Sequence, residues 1–155
     1  MMAFLKVLMA ALFGCSACNP AGPATPFAIS CIGKAKFVDK SPSKKSERAY
    51  DLPPQVYVFD ESLKRVQLAL EPRQEFEDVC IRGGYIDSTS FSPGLISIRS
   101  EKADYMCDFQ VNRKTGEAVF FSHSDFPGKR SNEIEFKMTC SPSAIPVFDP
   151  SKNKF

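Results

Sequence analysis

Glu133-Ile134-Glu135-Phe136-Lys137-Met138-Thr139-Cys140 is the stretch that decides the fold. Successive side chains of an extended chain point to opposite faces, so Ile134, Phe136, Met138 and Cys140 share one face and Glu133, Glu135, Lys137 and Thr139 the other. That alternation predicts a strand with one dry face and one wet face. Tyr105, Cys107, Phe109 and Val111, opposed by Met106, Asp108, Gln110 and Asn112, repeat it. Asn112-Arg113-Lys114-Thr115-Gly116 then supplies a turn in which Gly116 can take positive φ, and Ala118 to Phe121 returns as the partner strand.

Working outward, further strands are expected at Phe27 to Val38, Gln55 to Phe59, Arg65 to Leu70, Asp78 to Arg82 and Leu95 to Arg99. Near the middle Leu63, Val66, Gln67 and Leu70 also fit a helical face opened by Asp60. Val66, Leu68 and Leu70 fit a strand, and the turn signals of Phe59 to Lys64 favour it. About seven or eight short strands without internal repeats imply an all-β fold, a small antiparallel sandwich or barrel.

Composition agrees. The 155 residues are 43% apolar with 14 Phe, too apolar for a disordered chain, and 12 Pro with 8 Gly are too few for a collagen-like one. A formal charge of +2 argues against a dedicated nucleic-acid binder.

The first residues read as an address. Met1 to Gly14 is an apolar run carrying only Lys6 as a charge, followed by the small residues Cys15 to Cys18, as in a secretory signal. Val7 to Phe13 is too short to span a bilayer, which needs about 20 apolar residues. Leu12-Phe13-Gly14-Cys15 resembles the bacterial lipobox, and Cys15-Ser16-Ala17-Cys18 offers a second lipidation site. Cleavage before Cys18 leaves Cys31, Cys80, Cys107 and Cys140 as an even set, whereas cleavage before Cys15 leaves Cys18 over. Soluble secretion after ordinary cleavage is the alternative. The expected organisation is a signal peptide over 1–17, a proline-rich linker over 18–26 and one β domain over 27–155 with an irregular tail marked by Pro142, Pro146 and Pro150. A redox role for Cys15 and Cys18 needs a helix N-terminus, and Asn19, Pro20, Gly22 and Pro23 follow instead.

Cys31, Cys107 and Cys140 share the parity of apolar neighbours, while Cys80 shares that of Asp78 and Arg82. Four cysteines allow three connectivities, with free buried thiols as the alternative. The expected pairing is Cys31 with Cys140, tying the first strand to the last, and Cys80 with Cys107 across the central region. Isolated cysteines do not make a zinc site.

No residue is assigned as catalytic, cofactor-binding or metal-binding, and no cofactor is expected. Ser122-His123-Ser124-Asp125 holds the residue types of a hydrolase triad and the chain's single histidine, but adjacent side chains diverge, so a turn with a solvated histidine is expected. Lys34, Lys36, Lys40, Lys44, Lys45 and Arg48 against Asp39 and Glu47 give 34–48 a net charge of +4. That stretch reads as a solvated loop, or more sharply as a contact for anionic lipid or glycan. Glu71, Glu75, Glu77 and Asp78 around Arg73 read as surface charge, with nothing to set two carboxylates across a cleft. Arg82-Gly83-Gly84-Tyr85 lacks the helix of a phosphate loop and reads as a bulge or turn.

Phe27-Ala28-Ile29-Ser30-Cys31-Ile32-Gly33, Asn112-Arg113-Lys114-Thr115-Gly116 and the late Cys140 together resemble a layout of small envelope proteins of Gram-negative bacteria, over most of the chain after the signal. The resemblance implies a periplasmic β domain and no activity. The chain is also similar to the lipoprotein inhibitors of C-type lysozyme in being small, lipobox-led and disulfide-bearing, although their Ser-Gly inhibitory loop has no counterpart here. The expectation is a non-enzymatic cell-envelope protein, periplasmic or outer-membrane and lipid-anchored, or secreted, that binds another protein or an envelope polymer and no nucleic acid. The alternative is an inhibitor or immunity protein against a wall-degrading enzyme such as lysozyme.

Overall fold

The computed structural model describes residues 24–81, 88–128 and 130–149. The segment 1–17 with Cys15 and Cys18, most of the linker, Arg82-Gly83-Gly84-Tyr85 and Pro150 lie outside them. The described chain forms nine strands, β1 (Phe27–Ser41), β2 (Lys44–Asp60), β3 (Arg65–Leu70), β4 (Glu75–Asp78), β5 (Ser88–Phe91), β6 (Leu95–Lys102), β7 (Tyr105–Asn112), β8 (Glu117–Phe126) and β9 (Arg130–Ser143), with a 3-10 turn at Glu71–Arg73. They join in one antiparallel sheet of order β4-β3-β2-β1-β9-β8-β7-β6-β5, curled into a half-barrel. The class is the expected one, with a slightly larger strand count.

The core fills the hollow of the curl. Tyr57 and Phe59 on β2 reach across to Phe109 on β7, with ring centroids 4.8 and 6.5 Å apart. Val66, Ile96, Ile98, Val111, Ala118 and Met138, with Val79 and the cysteines Cys31, Cys80 and Cys107, complete the buried cluster. Phe27 stacks on Phe59 at 5.0 Å. Each large ring that leaves water here contributes on the order of 2–3 kcal/mol, which is why a sheet this small curls over its own face.

Four local expectations need correction. The basic stretch 34–48 is not a loop: period two continues through Ala35 and Phe37, and β1 pairs with β2 as far as Ser41 opposite Lys44. Ser41 Oγ closes the tip by accepting the Lys44 N–H at 3.2 Å and donating to the Lys44 carbonyl at 3.0 Å. Around the fourth strand, pairing runs over Glu75–Asp78 and stops before Cys80, which turns at φ 63°. Pro142 does not mark an irregular tail: it lies in β9 opposite Ile29, and the irregular segment begins after Ser143. His123 lies on β8, half-buried, and not in a turn.

The ambiguous middle is a strand. Asp60 Oδ1 accepts from the Leu63 N–H at 3.0 Å and from Ser62 Oγ, fixing a turn that leaves Leu63 68% exposed while Val66 is fully buried. A helical face would bury both. These bonds to Asp60 hold its carboxyl below the usual range, the Ser62 hydroxyl contributing most.

Close backbone approach sets two glycines. A Cβ on Gly33, where the β1–β2 register shifts, would sit 2.0 Å from the Lys137 carbonyl oxygen on β9. Gly116, at φ +73°, would place one 2.6 Å from the Cys140 carbonyl oxygen. Pro53 and Pro54 lie at the same register shift, and β3 begins its pairing only at Val56, so no third strand needs their missing donors.

Candidate binding face

Antiparallel register sorts the side chains into rows across the sheet, and partners in one row share a face. One row runs Tyr50, Ala35, Phe136, Phe120, Phe109, Ile98 from β2 to β6. Its β6 end is core, with Phe109 and Ile98 fully buried, whereas Tyr50 at its β2 end is 48% exposed. The next row runs Arg48, Phe37, Ile134, Ser122, Cys107, Ser100 and behaves alike. The reason is topological. β3 pairs with β2 only over Val56–Asp60, so the long end of the β1–β2 hairpin and the adjoining part of β9 carry the concave face beyond the core. Its outer rim, Lys44 to Leu52, has no further strand beside it among the described residues and is blunted by charge.

An open cleft of about 490 Å³ occupies this extension, lined by Phe37, Asp39, Arg48, Tyr50, Arg130 and Ile134 among others. Phe37 stacks on Tyr50 at 5.3 Å with 18° between the planes and is backed by Phe136 at 6.3 Å. Arg130 pairs with Asp39. That bond also holds the Arg130 guanidinium above its ordinary pKa, the hydrogen bond first and the charge second. Arg48 has no carboxylate partner among the described residues. Asn132 lines the same cleft, and its Oδ1 is buried without a hydrogen-bond partner.

A second cleft of about 490 Å³ lies at the other end of the concave face, where Phe27, Ile29, Ile96, Val111 and Pro142 give it an apolar lining. Arg113 lies over the Phe27 ring at 5.3 Å and pairs with Glu61 at 2.8 Å, so the cation at this rim is already compensated.

His123 sits on the convex face. Its Nε2 is 3.2 Å from Asp125 and its Nδ1 3.7 Å from Glu133, which also takes Lys40. Ser122, its chain neighbour, points into the concave face, so the four residues of the triad-like string do not converge. The acidic cluster is dispersed into surface pairs, Arg73 with Glu75 and Arg65 with Asp78. Among the described residues no group of three or more His, Cys, Asp and Glu is gathered as a metal site.

Cys31 and Cys140 are bonded across directly opposed positions of β1 and β9. Cys80, in the turn after β4, is bonded to Cys107 on β7, so this bridge ties together two strands that do not pair. The pairs are those set out from the sequence, although Cys80 is buried by its turn and not by strand parity. Two disulfides indicate an oxidising, extracytoplasmic compartment. Among the described residues no helix is long and apolar enough to cross a membrane.

No protein-family model, curated protein or solved structure matches the chain.

What the sequence reading missed is the clustering of Phe37, Arg48, Tyr50, Arg130 and Ile134. The strand expected to Val38 already held Ala35 and Phe37; the remaining signal was Arg48 and Tyr50 at period two, which the loop reading of 34–48 kept from being set opposite that strand.

Proposed function

We propose that this chain is a non-enzymatic binding protein of the cell envelope. The observation that carries the proposal is the concave face itself: one continuous sheet surface is core at its β6–β7 end and an open aromatic and cationic cleft at its hairpin end. Ligand sites are commonly concave and of about 300–1,000 Å³, with apolar walls and a few placed polar groups. The 1–17 segment directs export, and the 18–26 linker holds the domain off a membrane. Cys18 carries the lipid, with Cys15 the competing position, and the location is the periplasm or outer membrane. The two disulfides support the extracytoplasmic part of this reading.

The test is co-sedimentation of the purified protein with peptidoglycan sacculi and with outer-membrane fragments. Saturable binding to either is expected, and a linear or absent response to both overturns the proposal. Intact mass of the native protein tests the anchor: acylation at Cys18 or Cys15 is expected, and an unacylated species removes it.

A further inference from the structure

We infer that the open end of the concave face is a site for an anionic saccharide, with a sugar ring packed on Tyr50 and its acid group held by Arg48. The inference rests on the envelope-binding reading and narrows its ligand.

The first argument is the platform. Phe37 stacks on the Tyr50 ring and is itself backed by Phe136, and Tyr50 remains 48% exposed on the wall of the cleft. A flat, supported aromatic face suits the C–H face of a sugar ring, whose hydroxyls stay at its edge in water. The second argument is charge. On the hairpin and the adjoining part of β9, Lys36, Lys40 and Arg130 have carboxylate partners in Glu47, Glu133 and Asp39. Lys34, Lys44, Lys45 and Arg48 have none among the described residues.

Register then separates these four. Lys44 and Arg48 alternate with Lys45 and share the concave face with Tyr50, whereas Lys34 and Lys45 share the other face with Lys36 and Lys40. The cleft's acidic wall residues do not offset Arg48, because Asp39 is taken by Arg130 and Glu133 by Lys40. An uncompensated guanidinium two positions along the strand from an aromatic platform matches a carboxylate or phosphate carried on a sugar ring. The concavity favours a ligand that enters over a flat membrane surface, and the opposite cleft, with its cation already paired, lacks this complementarity.

The experiment titrates the purified protein with oligogalacturonate, phosphomannan and neutral dextran. Polyglutamate, a single-stranded oligonucleotide and anionic phospholipid vesicles serve as polyanion controls. At least one acidic glycan is expected to bind saturably and at least tenfold tighter than dextran and every control, more weakly as salt rises. Which one binds assigns the acid as carboxylate or phosphate. Arg48→Gln and Tyr50→Ala are each expected to weaken binding about tenfold, since each removes a principal contact. Tyr50→Phe, which keeps the ring, retains it. Acidic glycans no tighter than dextran, a control that matches them, or variants that bind as well as the parent overturn the inference. If sacculi still sediment the protein in that event, the envelope-binding reading stands without this ligand; if they do not, both fall.

Discussion

Removing the two disulfides separately should cost unequal stability, and the direction of the inequality discriminates between two physical accounts. A bridge acts mainly by shrinking the unfolded ensemble, by an amount that grows with the length of the loop it closes. Cys31 and Cys140 are 109 residues apart, which corresponds to about 4.8 kcal/mol, and Cys80 and Cys107 are 27 apart, which corresponds to about 3.6 kcal/mol. With the inner bridge intact the outer ring is effectively shorter, and its contribution falls to about 4.5 kcal/mol. Cys31→Ala with Cys140→Ala should therefore destabilise more than Cys80→Ala with Cys107→Ala, by about 1 kcal/mol. Native contacts suggest the reverse. Cys31 and Cys140 are held in register by the β1–β9 ladder with or without a bond, whereas β4 and β7 share no ladder. The assay is urea unfolding of both oxidised double variants, followed by far-UV circular dichroism because the chain has no Trp. Equal losses, or a larger loss for the Cys80–Cys107 variant, would refute the chain-entropy reasoning.

Three further outcomes follow from named geometry. Gly33→Ala should cost at least about 4 kcal/mol or prevent folding, because its Cβ would lie 2.0 Å from the Lys137 carbonyl oxygen; thermal melting checks it. Phe109→Ala should cost about 3–5 kcal/mol by urea titration, since this fully buried ring meets both Tyr57 and Phe59. Burial holds the Tyr57 phenol well above its ordinary value of 10, so its contribution is complete below pH 10 and declines above it as the unfolded chain ionises. The decline approaches about 1.4 kcal/mol per pH unit, and Tyr57→Phe should flatten the stability profile between pH 10 and 11.5.

The strands easiest to read in the sequence are those with one face in the core. In Glu133–Cys140 and Tyr105–Val111 the apolar positions alternate with side chains that are polar at every position but Met106, and both fall inside observed strands. Legibility fails where neighbours, not the segment, decide. Within Lys34 to Arg48 the same alternation holds only over Lys34 to Phe37, the remainder is charged and small as in a loop, and only the cross-strand partners Ser41 and Lys44 show that the chain turns there. Ser88-Thr89-Ser90-Phe91 becomes a strand because β6 offers it a free edge. The candidate cleft was legible only as a charge excess. Period two places Arg48 and Tyr50 on one face of their own strand, but their meeting with Phe37 and Ile134 depends on the registers of β1–β2 and β1–β9, which no single segment encodes.

The same registers explain how one small sheet can carry both a core and an open site. The rows that contain Tyr50 and Arg48 end in Ile98 and Ser100, both fully buried, so the backbone that presents the cleft is continuous with the most protected part of the molecule. Hydrogen bonding along β1, β9 and β8 supplies the extension's rigidity without a second sheet over its concave side among the described residues. Phe37 and Tyr50 therefore lie outside the buried cluster, joined to it through Phe136, while the strands beneath them are held. A ligand would meet a surface already organised, and little ordering cost would offset its contacts. Stability and recognition are thus set by different side chains on shared strands: Phe109 and Ile98 hold the curl, and Tyr50 and Arg48 can vary with the ligand at little expense to the fold.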